Sequence, residues 1–525
     1  MFAHTFTTFN NRFLREAVSG DAADVALIFT FAGLYALVLV LLSIYGSHRY
    51  TLLWRWWQTR HSPQVPAQRY APSDLPGVTI QLPLYNERYV VEELLESIGR
   101  IEYPRDRLQV QVLDDSTDDT TVIAADCVAT WRSRGLDITL IHRVDRSGFK
   151  AGALDAGLHT AKYDIVAIFD ADFRPEPSFL LRSVDHFTDP RVAVVQGRWG
   201  HVNAGDSALT RVQAMLLDGH FLIEHPARAR TGRFFNFNGT AGLWRVSAIA
   251  DAGGWHAETL TEDLDLSYRA QLRGWKFVYD PDLVVPAELP VEMNAFKTQQ
   301  HRWAKGSIQV MLKVLPSVMR SDAPFKVKSE AFLHLTGNMA YPLMALMCLL
   351  TLPMLVARTR IADGTIGAVV DALLFLTATA SVIAFYAVGQ FAGYKDWKSR
   401  IVAMPALLAI GIGLTVNQTK AVIEALAGHR SEFVRTPKFA VKAGGAWASR
   451  LYRGSRGLVA FAELVLAVYF TVSVVYAIRE GLWGSIPFLV IFVSGFWYVS
   501  LMSLLQGRMM PSAEPAAPST AVLSG

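Results

Sequence analysis

The chain contains long apolar segments of a kind that ordinary soluble domains lack. Residues 25–45 read VALIFTFAGLYALVLVLLSIY without a charge, which is long enough at about 1.5 Å per residue to cross the roughly 30 Å hydrocarbon core of a bilayer. Arg49, Trp54, Trp56 and Trp57 follow, and such basic and aromatic residues mark a membrane interface. Because these residues replace the small-residue cleavage site of a signal peptide, we predict a retained transmembrane helix.

Further apolar segments return near the C-terminus, after a long stretch of soluble composition. They cover about 332–357, 366–390, 401–424, 458–478 and 486–505. Overall 51% of the residues are hydrophobic and 18% are charged, against about 25% charged in soluble domains. Lys and Arg flank the soluble stretch on both sides, which predicts a cytoplasmic location for it. We therefore expect a multi-pass protein of the inner (plasma) membrane.

Segment 401–424 differs from the other apolar segments. Basic loops precede and follow it, so a simple crossing would leave one of them outside the cell. It also contains Pro405, Gly411 and Gly413 and ends in polar residues. We expect an interfacial or re-entrant helix rather than a span. The remaining five spans then put the N-terminus outside and the C-terminus inside.

Charge and cysteine content exclude several other functions. Lys plus Arg number 50 and Asp plus Glu 46, a net charge of +4, which gives no support for nucleic-acid binding. Cys127 and Cys348 lie far apart without metal-type spacing, so structural zinc and redox chemistry are not expected.

The composition divides the chain into a series of predicted regions. They are an N-terminal segment (1–23), a transmembrane helix (24–46), an interfacial linker (47–76), a soluble domain (77–290), interfacial helices (291–330), a C-terminal membrane region (331–506) with a cytoplasmic loop (425–457), and a Pro-, Ala- and Ser-rich tail (507–525) that we expect to be disordered.

In the soluble domain, short apolar runs alternate with helix-period stretches. The runs cover 78–85, 108–115, 138–144, 164–172 and 192–199. This alternation predicts an α/β fold, with a mostly parallel sheet covered by helices on both faces. Ligands of such sheets bind beyond the carboxyl ends of the strands.

Two of these runs end in acidic pairs, Asp114 with Asp115 and Asp170 with Asp172. A lone aspartate there is commonly a helix cap or a solvated loop residue. In the second pair two like charges lie so close that a cation between them is favoured. Carboxylate oxygens with few other ligands suit Mg²⁺ or Mn²⁺ bridging a diphosphate, and no glycine-rich phosphate loop follows a strand to do that task.

Two more clusters, TLTEDLD at 259–265 and QQHRW at 299–303, have structural alternatives. Acidic residues in a first helical turn favour the helix dipole. An Arg/Trp pair before a membrane span can be an interfacial anchor. Neither cluster alone decides a function.

Taken together, the ordered motifs resemble the processive family 2 glycosyltransferases of the cellulose synthase superfamily. The motifs are DDSTDDT (114–120), KAG (150–152), DAD (170–172), FNGTAGLWR (237–245), TED (261–263) and QQHRW (299–303). The FNGTAG and QQHRW forms are most similar to the plant cellulose synthase-like A and C proteins. The resemblance implies a GT-A (Rossmann-like) domain inserted between transmembrane helices. It also implies an inverting enzyme that extends a β-linked glucan or mannan, with 1,4 linkage expected, and translocates it across the membrane.

The resemblance also implies the donor and its ligands. The donor would be UDP-glucose or GDP-mannose, between which the sequence does not decide. Asp114 and Asp115 would contact the nucleoside. Asp170 and Asp172 would hold the diphosphate through Mg²⁺ or Mn²⁺, with Lys150 close to the phosphates.

For the acceptor side, the resemblance makes Asp263 the general base, with Glu262 beside it. Gln299, Arg302 and Trp303 would frame the acceptor end and the departing diphosphate. The other partners implied are the growing polysaccharide, the lipid bilayer and export or accessory subunits.

A gating loop is implied by FVRTPK at 433–438, which partly matches the family form F-x-V-T-x-K. Phe433, Thr436 and Lys438 fit that form, whereas the valine is displaced. Because such a loop must be cytoplasmic to close over donor phosphates, it also favours a re-entrant 401–424.

Two other functions stay open. The chain could add one or a few sugars to a membrane lipid, since related enzymes with similar motifs form glycolipids. It could also be a transporter or scaffold with a degenerate domain, although all of Asp170, Asp172, Asp263 and Arg302 are retained.

Overall fold

The computed structural model describes residues 22–360, 375–429, 438 and 458–506. Helix α1 covers Ala22–Thr59, so it continues beyond the apolar segment through the tryptophans. Trp54 and Trp57 are exposed, whereas Leu52 and Trp56 pack against Ile223 and Phe385 of later elements. The first helix is thus both a membrane segment and a contact for the domain that follows.

The soluble domain is built on a seven-stranded mixed sheet with strand order β3-β2-β1-β4-β6-β5-β7. β1 pairs in parallel with β2 and β4, β2 with β3, and β5 with β7, whereas β6 is antiparallel to β4 and β5. The strands are β1 Val78–Leu84, β2 Leu108–Asp114, β3 Asp137–His142, β4 Ile165–Ile168, β5 Val192–His201, β6 Gly242–Arg245 and β7 Lys276–Ala287.

Helices of this domain connect the strands and cover the sheet. They are α2 Val91–Gly99, α3 Thr120–Ser133, α4 Phe149–Leu158, α5 Phe179–Ser183, α6 Ala208–Asp218, α7 His225–Arg230, α8 Val246–Asp251 and α9 Glu262–Leu272. A π-helical turn, Gly219–Glu224, joins α6 to α7. The predicted mostly parallel sheet is therefore present, and its five predicted strands agree with the observed ones.

The antiparallel strand β6 is absent from the sequence prediction, as is β7. β6 has only four residues, too few for a period-2 pattern to be distinguished from a buried loop. It enters the sheet between β4 and β5. A Cβ added at Gly242 would lie 2.5 Å from the carbonyl oxygen of Val195. That close approach explains why glycine stands there.

The strand β1 shows how the two sheet faces differ. Val78, Ile80 and Leu82 are fully buried in the apolar layer under one face. On the other face Thr79 donates to Gln109 at 2.9 Å and Gln81 to Gln111 at 3.0 Å. Buried polar side chains are thereby paired across neighbouring strands.

After the sheet, the chain forms helices along and within the membrane region. They are α10 Met293–Arg320, α11 Phe325–Leu335, α12 Ala340–Arg360, α13 Ala380–Gly393, α14 Trp397–Arg400, α15 Met404–Gly413, α16 Thr415–Leu426, α17 Val459–Arg479 and α18 Ile486–Gln506. A π-helical turn, Phe375–Thr379, precedes α13.

In the described residues, five helical segments are long and apolar enough to cross a membrane. They are Thr30–Thr59, Gly337–Ala357, Leu376–Gly393, Val459–Arg479 and Trp483–Gln506. The chain is thus a multi-pass membrane protein, and the five predicted spans correspond to these helices, although residues 366–374 of one lie outside the described residues. Segment 401–424 falls in a helix pair bent by 41°, a geometry that suits either a broken span or a re-entrant loop.

Helix α10 connects the domain to the membrane helices through buried polar contacts near its N-terminus. Lys297 Nζ donates to Glu463 Oε2 of α17 at 2.7 Å, and both side chains are buried. The Asn417 amide donates to the carbonyl of Lys297 at 2.9 Å, and that of Asn294 to the carbonyl of Ser503 at 3.0 Å. These contacts fix α10, and with it QQHRW, against α16, α17 and α18.

Candidate active site

One pocket lies beyond the carboxyl ends of β1, β2 and β4, where a sheet of this type binds ligands. Its cavity volume is about 170 Å³, and it opens to solvent. Ten of the predicted residues border it: Asp115, Lys150, Asp170, Asp172, Glu262, Asp263, Gln299, Arg302, Trp303 and Lys438. Sequence positions more than 300 apart are thus brought to one cavity.

The two members of the first acidic pair, Asp114 and Asp115, differ in their position relative to the pocket. Asp114 is fully buried and accepts hydrogen bonds from Thr121 Oγ1 at 2.6 Å and from His142 Nδ1 at 2.8 Å. Asp115 lines the pocket, and both of its oxygens accept from Arg143, at 2.7 and 2.6 Å. Of the two, only Asp115 borders the cavity.

Next to Asp115 the pocket wall is formed by a stacked pair that the motifs did not indicate. The guanidinium carbon of Arg146 lies 3.4 Å from the ring centroid of Tyr85, and both side chains line the cavity. A planar cation on an aromatic ring is a favourable contact. The sequence signal was weak, because Tyr85 ends an apolar run and Arg146 lies in a loop.

The DAD turn follows β4 and carries two carboxylates, each with a lysine. Lys150 Nζ donates to Asp170 Oδ1 at 2.5 Å. Lys438 Nζ donates to Asp172 Oδ2 at 2.6 Å and to the carbonyl of Glu288 at 3.0 Å. Burial lowers the pKa of Lys150, but the negative charges of Asp170 and Glu262 outweigh burial, so the pKa of Lys150 is raised. Burial likewise lowers the pKa of Lys438, and the negative charge of Asp172 outweighs it, so the pKa of Lys438 is also raised.

This carboxylate pair fits a small divalent cation. Its oxygens are hard ligands of the type that Mg²⁺ and Mn²⁺ prefer, and two ammonium groups already lie against them. Among the described residues no group of three or more His, Cys, Asp or Glu side chains could hold a metal by itself. A cation here would therefore take its remaining ligands from a bound phosphate and from water.

The TED motif places its last carboxylate at the start of α9. Asp263 Oδ1 accepts from the backbone N–H of Leu264 at 2.8 Å. Burial and the neighbouring charge of Glu262 raise the pKa of Asp263 to about 7, with Lys150 and Arg302 opposing them. A carboxyl that titrates near neutrality can accept a proton during a reaction at physiological pH.

A tight loop from FNGTAG faces this carboxylate. Gly239 has φ +80°, and a Cβ there would lie 2.9 Å from Asp263 Oδ2. The carbonyl of Gly239 accepts from Lys150 Nζ at 2.9 Å, and Thr240 Oγ1 accepts from the backbone N–H of Asp170 at 2.9 Å. Glycine is needed here for its positive φ and for the close approach.

The QQHRW segment lies in α10, at the pocket end nearest the membrane helices. The ring of Trp303 is 6.2 Å from that of Trp199, tilted by 55°. Burial lowers the pKa of Arg302 while Glu262 and Asp263 oppose the change, so a partly buried cation lies beside the two acids. Trp199 ends the apolar run 192–199, and the sequence reading did not assign it a role.

The gating-loop residues are placed only in part. Lys438 reaches Asp172, as described above. Phe433 and Thr436 lie outside the described residues, so their predicted role stays a prediction.

Comparison with known proteins identifies similarities over the soluble domain. Residues 76–306 match the family described as "Glycosyltransferase like family 2". The chain is 46% identical over 253 residues to glucomannan 4-beta-mannosyltransferase 7 of Arabidopsis thaliana, covering 47% of this chain and 45% of that protein. It is 40% identical over 303 residues to probable glucomannan 4-beta-mannosyltransferase 10 of the same plant, covering 57% and 54%.

Among solved structures, one similar chain is the mannosyltransferase PcManGT from Pyrobaculum calidifontis in complex with GDP-Man and Mn²⁺. It shares 22% identity at a TM-score of 0.49, covering 76% of this chain and 100% of that chain. The matches to the two plant proteins cover only about half of their length.

Proposed function

Because the chain contains a family 2 glycosyltransferase domain with the GT-A fold, we propose that it is an inverting enzyme that extends a β-1,4-linked mannan or glucomannan from GDP-mannose. The α/β sheet and the membrane helices expected from the sequence are confirmed, and residues 76–306 match the expected family. The observation that carries the proposal is one pocket in which Asp263, with a pKa of about 7, lies beside the lysine-bound DAD carboxylates. The relatives' names support mannose as the sugar.

In the proposed reaction Asp263 accepts the proton of the acceptor hydroxyl. The hydroxyl oxygen then attacks the anomeric carbon of the donor, and the bond from that carbon to the diphosphate oxygen breaks with its electron pair on the diphosphate. A single displacement inverts the configuration, so an α-linked donor gives a β-linked product. Burial of Asp263 serves this step because it raises the pKa towards the working pH.

The departing diphosphate carries negative charge that the pocket can stabilise. Arg302 and Lys150 are partly buried cations beside the acids, and cations shielded from water stabilise developing charge more than solvated ones. Asp170 and Asp172 would hold Mg²⁺ or Mn²⁺, and the bound cation would neutralise the diphosphate. Lys438 would add a further positive charge next to Asp172.

Nucleoside and acceptor would occupy opposite ends of the pocket. Asp115 and the Tyr85–Arg146 stack supply hydrogen-bond acceptors and a flat surface for a base. Trp303 and Trp199 supply aromatic faces for a sugar ring, since pyranose C–H faces pack on aromatic rings. The growing chain would leave beside α10, whose membrane contacts support a route through the membrane helices, with the soluble domain in the cytoplasm.

A product analysis tests this proposal and separates it from the glycolipid alternative. The purified full chain is incubated in lipid nanodiscs with Mn²⁺ and, in parallel, GDP-mannose, UDP-glucose and their N-acetylated counterparts. We expect an alkali-insoluble polymer from GDP-mannose, with or without UDP-glucose, that endo-β-1,4-mannanase degrades. A solvent-extractable lipid with a few sugars would favour glycolipid synthesis, and no transfer from any donor would contradict both.

A further inference from the structure

Two histidines outside the proposed mechanism contact a residue that borders the pocket. Asn238 lines the cavity, whereas His225 is fully buried and belongs, like His220, to the packing between the π-turn and α7. The ring centroids of His220 and His225 are 4.2 Å apart. Histidine rings this close are not both protonated without cost, because two adjacent positive rings would repel each other.

The Asn238 side chain determines which ring nitrogens carry protons. Its Oδ1 only accepts, so His225 Nε2, at 2.6 Å, must donate. Its Nδ2 only donates, so His220 Nε2, at 2.9 Å, must accept. The His220 proton is therefore on Nδ1, where it points to Glu224 Oε2 at 3.0 Å. The four residues Glu224, His220, Asn238 and His225 form one hydrogen-bonded chain, named the relay below.

The burial of His225 agrees with this assignment. It lowers the pKa of His225 well below its usual value, which keeps His225 neutral. Although burial opposes ionisation of Glu224, Arg228 and His220 hold its pKa well below the usual range. Within the described part of the chain, His225 Nδ1 has no hydrogen-bond partner, as expected of the nitrogen without a proton.

The relay is anchored to the helices around the domain. Arg228 Nη1 donates to Glu224 Oε2 at 3.2 Å, and Arg228 Nε donates to Glu330 Oε1 of α11 at 3.1 Å. Glu330 is buried and also contacts His48 at 2.9 Å and Arg55, both in α1. Breaking buried charge pairs of this kind is costly, so the outer end of the relay is held firmly.

The inner end of the relay acts on the catalytic groups through the backbone. The N–H of Asn238 donates to Gln196 Oε1 at 2.9 Å, and the next residue, Gly239, holds Lys150 by its carbonyl. The same glycine packs closely on Asp263, since a Cβ there would lie 2.9 Å from Asp263 Oδ2. A displacement of Asn238 would therefore move the contacts of both Lys150 and Asp263.

We propose that the relay positions Asn238 and Gly239 for sugar transfer and that His220 is a positioning residue of this enzyme. The inference rests on the proposed function. His220 acts as a fixed acceptor, and its place in a π-helical turn, Gly219–Glu224, accords with the frequent occurrence of such turns near functional sites.

Two substitutions of His220 separate positioning from packing. H220Q retains an acceptor within reach of Asn238, whereas H220L fills similar space without one. We expect H220L to lower kcat by about tenfold to a hundredfold, the range that small misplacements cause, and H220Q to keep most of the activity. H186L is the control for the loss of a histidine, because His186 is buried elsewhere in the domain and does not border the pocket.

Hydrogen exchange of residues 234–241 gives a readout that does not depend on activity. We expect faster exchange there in H220L and wild-type exchange in H220Q and H186L. If H220L does not fold, E224Q carries the test: it removes the charge that keeps the His220 proton on Nδ1, and should lower kcat by about threefold or more with faster exchange in 234–241.

The outcomes distinguish the relay from the proposed function. A wild-type enzyme without transfer activity would overturn the proposed function, while hydrogen exchange still tests the relay. An active wild type with unchanged kcat and exchange in H220L would overturn the relay. An H220Q variant as impaired as H220L would also overturn the relay, because the retained hydrogen-bond acceptor would then not preserve activity.

Discussion

The raised pKa of Asp263 predicts a steep loss of activity on the acid side of neutrality. The base works only when ionised, so activity is present above its pKa and is lost as pH falls through it. With a pKa of about 7, roughly a tenth of the molecules have an ionised base at pH 6 and roughly nine-tenths at pH 8. We therefore expect kcat/KM to fall about tenfold between these pH values, whereas an ordinary aspartate, with a pKa of about 3.9, would cause no change.

Replacing Glu262 by Gln tests the cause of this shift. Burial is the largest contribution and the charge of Glu262 the next, so E262Q should move the acid limb to lower pH without abolishing it. E258Q is the matched control, because Glu258 is exposed and paired with Lys313 at 2.8 Å, outside the pocket. Its limb should stay at the wild-type position.

The assay is the initial rate of polymer formation from GDP-[¹⁴C]mannose at low donor concentration, between pH 5 and 9. These conditions report the ionisation of the free enzyme. A profile that is flat between pH 5.5 and 8 would refute the assignment of Asp263 as a base with a raised pKa. An E262Q limb that coincides with the wild-type limb would refute the contribution of Glu262.

Three further outcomes are expected. Lys438→Ala should lower kcat strongly, measured as polymer formation, with the protein still folded as judged by a cooperative thermal transition; wild-type turnover would remove Lys438 from the site. EDTA should abolish transfer and added Mn²⁺ or Mg²⁺ restore it, whereas activity in EDTA would contradict a metal at Asp170 and Asp172. Lys297→Met should destabilise the protein by about 3–5 kcal/mol, because Glu463 is left buried and unpaired. Adding Glu463→Leu should recover most of this loss, measured by thermal unfolding followed by tryptophan fluorescence. Equal stability of K297M and wild type would show that the pair is not coupled.

Much of the fold could be predicted from the sequence because its signals are local. The long apolar segments and the alternation of strands with helices each follow from patterns within about twenty residues. The acidic pairs end apolar runs, so the carboxyl edge of a parallel sheet predicts that they meet. The short strand β6 was missed because its position depends on pairing with β4 and β5, which are distant in the chain.

The parts of the site that sequence reasoning missed are those made by tertiary contacts. Trp199 had no assigned role, because it lies about a hundred positions before the predicted Trp303 and becomes its neighbour only when α10 docks on the sheet. Asn238 lies inside a motif that was noted, but its histidine partners carry no motif of their own. The division between Asp114 and Asp115 likewise depends on His142 and Arg143, one strand away.

The central claim is that Asp263 is the base of an inverting mannosyl transfer, and the D263N variant tests it most directly. In nanodiscs with GDP-[¹⁴C]mannose and Mn²⁺, wild type should form mannanase-sensitive polymer, and D263N should form it about a hundredfold to ten-thousandfold more slowly with wild-type binding of GDP. Transfer by D263N at the wild-type rate would contradict the account.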